Sequence, residues 1–483
     1  QGDGFRVLKH PTKPYIYSEM QGAQTVWRYN TERNQTKNVA PQPEGDEKLR
    51  FNWNAPMAIS AHAPDRFYMG SQYLHKSEDM GDTWVKISPD LTTNDPKKQD
   101  LESGGLSLDK SGAETHTTIF TIAESPLDEN IIWVGTDDGN VQLTQDGGKT
   151  WTNLVENIPN LPENTWVYHI EASVHNPGTA YAVFDGHATG DMNTYVYKTT
   201  DFGKTWSSLV TDEIKGFARN IQEDYESEDL LFLGTEFGLF ITVDGGKHWS
   251  HFTNNLPPVA VHYIELQKQT SDLVLGTHGR GVIIIDDISP LRQINQEVLA
   301  KDLHFFETSS GIIDESSGFG STSTETQFVG PNPSKQAKIM YYLKKRHTFG
   351  KMTMEIQDME GNVIAEPAPG KSKGLNIVLW DQLKKAPKVA VGKIPSFVAA
   401  PYAEAGTYKV VINKGKDTYE HTINVENDPN STLSPADRKA QRELTRRLFD
   451  DVEDLAYLGY RIDHWVEKLE GLDSKKAKKA KGE

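Results

Sequence analysis

The sequence predicts a mainly β chain: a β-propeller of six or seven four-stranded blades, then a smaller β-sandwich, then one C-terminal helix. Three observations carry this prediction. An octapeptide of the form Ser/Thr-x-Asp-x-Gly-x-Thr-Trp recurs at 77–84, 144–151, 199–206 and 242–249, the last with His248 in place of Thr. A second phrase, an apolar strand closing on Gly-Thr or Gly-Ser, recurs at 67–71, 131–139, 230–238 and 273–281, with 181–187 as a variant. From residue 335 the pattern changes to period-two strands and then to a helical stripe.

Repeats at irregular spacing mark an array of like units with insertions. The octapeptide tryptophans lie 67, 55 and 43 residues apart. The motif specifies a hairpin: Asp bonds neighbouring amides, Gly supplies positive φ, and Trp packs its ring between sheets. A further strand precedes each Gly-Thr strand, so every module holds four antiparallel strands, the content of a propeller blade. Six modules are read, at 5–50, 51–95, 112–160, 161–212, 213–256 and 257–290. The first and sixth lack the octapeptide, and a turn-rich insertion runs from Thr92 to Glu114. A seventh blade contributed by upstream sequence and a ring closed on six are both open at this point.

The predicted boundaries are a propeller at 1–292, a Ser/Gly/Thr-rich linker or loop at 293–334, a sandwich at 335–430, an amphipathic helix at 431–472 and a basic tail at 473–483. Alternating runs such as KMTMEIQD and GTYKVVINKG predict the antiparallel sandwich. Ser434-Pro435-Ala436-Asp437 reads as a helix start, with Ser as N-cap and Pro at the first helical position. Leu444, Leu448, Val452, Leu455, Ile462, Val466 and Leu469 then form an apolar stripe that needs a partner surface.

Composition excludes several function classes. Fifty-one basic against 68 acidic residues give −17 at pH 7, which argues against nucleic-acid binding. With no cysteine there is no disulfide, thiolate nucleophile or Cys-ligated zinc. No apolar run approaches the roughly 18 residues of a membrane span. No HExxH, P-loop or Gly-x-Ser-x-Gly elbow occurs, and no cofactor or metal is expected. The chain opens on Gln1 without a signal peptide, which reads as a processed or partial product with more protein upstream.

The octapeptides, the run THGRGVIIIDDISPLRQI and the strands LNIVLWD and AGTYKV together resemble bacterial BNR/Asp-box, sortilin-like propeller proteins, a family often labelled glycosyl hydrolase. The sandwich resembles a FlgD-like, Ig-like module. The resemblance covers nearly the whole chain, which looks like the C-terminal half of such a protein. It implies an extracytoplasmic location in a bacterium (periplasm, cell surface or secreted) and an N-terminal partner propeller or larger assembly. It implies little about substrate.

Propeller geometry focuses the search for a site. The Gly-Thr turns and the loops between blades share one face, and the octapeptides lie on the other. The turns therefore bring Asp137, Asp138, His187, Glu236, His278 and Arg280 towards one mouth. Residues leading the inner strands, His116, Tyr168, His169, Arg219, His262 and Tyr263, line the same funnel. The ligand-binding candidates are His278, Arg280, His116, Tyr168, His187, Arg219 and Tyr263. His278 and Arg280 form either a clamp for a carboxylate or sulfate or a tie that closes the ring.

Two functions fit. The first is a non-catalytic extracytoplasmic binding or scaffold protein whose propeller face engages a peptide, glycan or protein partner. The alternative is a glycoside hydrolase, xyloglucanase- or sialidase-like, with a cleft shared with a missing second propeller. Inverting hydrolysis needs two carboxyls about 6.5–9.5 Å apart, and Asp137, Asp138 and Glu236 are the carboxylates available at the mouth. The arginine-led phrase Arg-Ile-Pro of sialidases is absent.

Overall fold

Each repeat folds as its own antiparallel sheet in the computed structural model, which describes residues 4, 6–99, 115–313, 334–389, 400–470 and 479. The chain divides into two units, Gln1–Arg292 and Gln293–Glu483. The first is a β-propeller array of six sheets, and in each the strands lie in sequence order. Five have four strands: blade 1 spans residues 7–38, blade 2 57–86, blade 3 119–153, blade 4 166–208 and blade 5 218–252. Blade 6 has three, Val261–Gln267, Asp272–Thr277 and Val282–Ile285.

The glycine of the Gly-Thr phrase is set by contact between blades. A Cβ on Gly135 would lie 2.4 Å from Val167, and one on Gly70 2.7 Å from Ile119. One on Gly234 would lie 2.5 Å from the carbonyl oxygen of Val261. In each case the neighbour begins the inner strand of the next blade, so the missing side chain lets consecutive sheets close. Blade 4 inverts the arrangement: Val183 takes the glycine position, and Ala218 on the next inner strand belongs to the same core. The pair conserves volume across the contact, as close packing requires.

The octapeptides close the opposite ends of the blades. In the second, the Thr144 hydroxyl donates to Asp146 at 2.8 Å, and the amide and hydroxyl of Thr150 donate to the two Asp146 oxygens at 2.9 and 2.7 Å. The same bonds recur around Asp79, Asp201 and Asp244, with the His248 ring replacing the Thr hydroxyl. Three of the tryptophans donate their indole N–H to the blade before: Trp84 to Val39, Trp151 to Ile87 and Trp249 to Leu209. The motif thus builds a hairpin and ties it to its neighbour.

The two end blades each keep one apolar face uncovered among the described residues. Gly276 occupies the same position as Gly135 and Gly234, yet a Cβ there would meet only Tyr263 of its own sheet, at 3.2 Å. On the third strand of blade 6, Ile283 and Ile285 pack inward while Val282 and Ile284 are exposed. On blade 1, Val7 and Trp27 are exposed on the face away from blade 2.

In the second unit a three-stranded sheet, Leu303–Phe306, Ala337–Leu343 and Gly374–Trp380, faces a five-stranded one across a shared core that includes Tyr341, Trp380, Val410 and Ile412. Gly311–Ile313 pairs with Asp417–Asn427 in parallel, where the sequence predicted antiparallel strands only. Residues 293–313, read from the sequence as linker, hold the short helix Gln296–Ala300 and two strands of this sandwich. Strands of three or four residues show too few alternations to be told from a loop, which is why the pattern concealed them. Residues 314–333 of that segment, 100–114 of the blade insertion and most of the basic tail lie outside the described residues.

The long helix runs from Pro435 to Glu470. Its start is a reciprocal cap: the Asp437 amide donates to the Ser434 hydroxyl at 3.2 Å, and the Ser434 amide to the Asp437 carboxylate at 3.1 Å. No described helix is long and apolar enough to cross a membrane.

Candidate functional site

The inner strands of four consecutive blades break register near their start. In blade 3, Gly135 and Thr136 face Thr121 and Ile119, which leaves Phe120 as the extra residue. The same shift leaves out Tyr168 in blade 4, Arg219 in blade 5 and His262 in blade 6. A bulge re-aims side chains at a local kink and is favoured beside functional sites. Here the bulged residues of blades 3, 4 and 5 touch in turn. The Phe120 and Tyr168 rings are 5.1 Å apart, and the Arg219 guanidinium lies 4.5 Å from the centre of the Tyr168 ring.

The Gly-Thr turns complete the mouth above this row. Asp185, at the turn of blade 4, accepts from Arg219 at 2.5 Å and bonds His187 Nδ1 at 2.8 Å. The His187 ring stacks on Phe217 with centroids 4.7 Å apart. His262 lies 5.0 Å from the His278 ring. Burial, then the charges of Arg219 and His278, holds His262 down to about 4, so it is neutral at physiological pH. On the other side, His116 and Phe120 both pack on Trp166, at 5.7 and 5.3 Å.

Two buried polar atoms here have neither a hydrogen bond nor an ion-pair partner among the described residues, Arg219 Nε and Asn220 Oδ1, while His116 Nδ1 and His169 Nε2 lack a hydrogen bond but lie 3.9 and 3.7 Å from the carboxylates of Asp137 and Glu171. Arg219 is 8% exposed and Asn220 3%. Orphaned polar groups at this depth are costly unless water or a ligand satisfies them.

The sequence-predicted residues fall into three groups. Tyr168, His187 and Arg219 stand together, with the His262–His278 pair beside them. Asp137, Asp138 and His116 are buried instead. Asp137 accepts from the amide and hydroxyl of Thr118 at 2.8 and 2.5 Å and from Asn52 at 2.9 Å, while burial pushes it up to about 7. Asp138 accepts from Thr93 and Thr136. Both are occupied mainly by other loops, Asp137 by residues 52 and 118 and Asp138 by residue 93. Glu236 and Arg280 stand apart, and neither side chain has a hydrogen bond or ion pair among the described residues. Arg280 is exposed at a hairpin tip and makes no ion pair to blade 1 among the described residues.

Tyr263 belongs to a second layer one step down the inner strands. Its hydroxyl donates to Glu265 at 3.2 Å. Glu171 accepts from Gln222 and lies 3.7 Å from His169. Burial holds both carboxyls above the usual range, and the charge of Glu171 adds to the shift of Glu265. Glu265 itself is exposed.

No family model matches the chain. An oligoxyloglucan-reducing-end-specific xyloglucanase of Emericella nidulans is 22% identical over 210 residues, covering 42% of this chain and 23% of that protein. A probable enzyme of the same description from Neosartorya fischeri is 24% identical over 223 residues, with the same coverage. The chain therefore spans under a quarter of the length of these relatives. Among solved structures, the GH74 xyloglucanase of Xanthomonas campestris matches at 14% identity and a TM-score of 0.41, over 57% of this chain and 44% of its own. An ancestral GH74 enzyme matches at 14% identity and 0.42, over 89% and 63%.

Sequence reasoning missed Asp185, Phe217, Glu171 and Glu265. One signal was present for Asp185: it ends the second strand of its blade at the register position where Asp137, Glu236 and His278 follow theirs. All four top the same turn, but blade 4 lacks the Gly-Thr that marks it. Nothing local distinguishes Glu171 or Glu265 from other strand carboxylates.

Proposed function

We propose that this propeller binds a glycan at the mouth formed by blades 3 to 6, as part of a glycoside-hydrolase-like protein. The observation that carries this reading is the half-buried Tyr168, His187 and His262 beside the buried Asp185–Arg219 pair, with buried Phe120 packed on the Tyr168 ring. Aromatic faces stack on sugar rings, and charged donors and acceptors fixed by one another bond hydroxyls without rearranging. The likeness to xyloglucanases supports xyloglucan oligosaccharides as the class to try first. An Asp-box, sortilin-like ancestry, an extracytoplasmic location and an Ig-like sandwich at 335–430 belong to the same reading.

Calorimetric titration with xyloglucan oligosaccharides and with unsubstituted cello-oligosaccharides tests it. Binding is expected for at least one set, weakened roughly tenfold or more by Tyr168→Ala or Arg219→Ala, since a lost hot-spot side chain costs about 2 kcal/mol. No heat from either set with the unaltered chain overturns the proposal.

A hydrolytic role is favoured by one observation, the two carboxyls Glu171 and Glu265 held above their usual range on the inner strands of blades 4 and 6. A general acid needs that displacement at neutral pH. Release of reducing ends from xyloglucan, abolished by Glu171→Gln or Glu265→Gln with binding retained, is the expected outcome. Binding without turnover in the unaltered chain leaves the mouth a lectin-like site and sinks the hydrolytic reading.

A further inference from the structure

The C-terminal helix carries a seam that no part of the described chain covers. Leu444, Leu448, Leu455, Leu458, Ile462 and Trp465 are 53–61% exposed, apart from their neighbours Thr445, Phe449, Val452 and Ala456, which are half-buried on another face. The exposed set, continued by Leu469, follows alternating steps of three and four residues, with Asp451 in the one remaining seat. That is a heptad repeat, whose period of 3.5 keeps a seam against a second helix rather than against a curved sheet. Leu458, Ile462, Trp465 and Leu469 already line a shallow groove along it.

Charge says which helix fits. Residues 435–450 carry five Arg or Lys against three Asp or Glu, a net +2. Residues 451–469 carry two against five, a net −3. The helix dipole does not explain this order, since it acts in the end turns, where Asp437 and Lys468 already complement it. A copy of the same helix running the other way matches it.

We propose that the helix pairs with the same helix of a second copy of this chain as an antiparallel two-stranded coiled coil. The seam then sets Leu444 against Leu469 of the second copy, Leu448 against Trp465 and Leu455 against Leu458. Asp451 is the direction marker. In the antiparallel pair it meets Ile462 of the other copy beside Arg461, whereas a parallel pair would bury Asp451 against its own counterpart, like charge on like charge. A polar residue in one seat of a seam is a known means of fixing orientation at some cost in stability.

The chain has no cysteine, so single-cysteine variants give clean cross-links. Sedimentation of the full chain across a concentration series is expected to show a monomer–dimer equilibrium, shifted to monomer by Leu455→Glu without loss of the β circular-dichroism signal. Mixing Leu444→Cys with Leu469→Cys chains under mild oxidation is expected to give the mixed disulfide dimer in excess over either like pair. A monomer at every concentration overturns the proposal. So does a Leu444→Cys chain that cross-links to itself in preference to the Leu469→Cys chain, because that outcome means a parallel pair.

Discussion

The Arg219 guanidinium bonds the Asp185 carboxylate at 2.5 Å, with the two side chains 10% and 3% exposed, and so joins the inner strand of one blade to the turn of the blade before. An ion pair at this depth costs desolvation on both sides, and removing one partner strands the other. Asp185→Ala is expected to lower stability by about 3–5 kcal/mol in chemical denaturation. The double variant with Arg219→Ala should recover part of that loss. Additive losses in the double variant would show that the two residues are not coupled.

The glycines of blades 3 and 6 offer a paired test. Gly135→Val drives a side chain into Val167 and is expected to cost about 1–3 kcal/mol or more, the range for overpacked cores. Gly276→Val meets open space beyond its own sheet and is expected to cost well under half as much. Equal losses at the two sites, read from denaturation midpoints, would mean that the far face of blade 6 is covered in solution.

Asp137 sets a pH dependence. Burial raises its folded pKa to about 7, so between about pH 4 and 7 the folded state holds a proton that the unfolded chain has released. Its contribution to stability is therefore greatest below pH 4 and is lost as pH rises towards 7. Asp137→Asn removes this slope, so the variant should gain relative to the unaltered chain as pH increases across that window. Parallel stability curves for the two proteins would refute the assignment.

The octapeptide divides its work between hairpin and interface. Trp249 is buried and bonds Leu209 of the blade before, so Trp249→Ala is expected to cost about 3–5 kcal/mol. Asp244 bonds only within its own exposed turn, and Asp244→Ala should cost about 1 kcal/mol. Melting temperatures of the two variants measure the difference. A larger loss for Asp244→Ala would place the motif's main contribution inside the hairpin.

Much of the site was readable one residue at a time. Tyr168, Arg219 and His262 lead their strands in the sequence and stand together in the fold. Asp137 and Asp138 looked equally well placed beside their Gly-Thr turn. Whether a turn carboxylate faces the mouth or is occupied by other loops depends on Thr118, Asn52 and Thr93, which lie 19 to 85 residues away. Arg280 had the motif of a clamp, and the open space around Gly279 and Gly281 leaves it at an exposed tip.

By itself the sequence determined the blades, because strand periodicity, turn glycines and the octapeptide act within a few residues and repeat. It determined the helix start at Ser434 for the same reason. Only the tertiary structure decided the site. The four bulged residues lie on four separate sheets, and only the packing of those sheets on one another decides which of them meet. That packing sets Phe120 against Tyr168 and Tyr168 against Arg219, contacts between blades that no single repeat encodes.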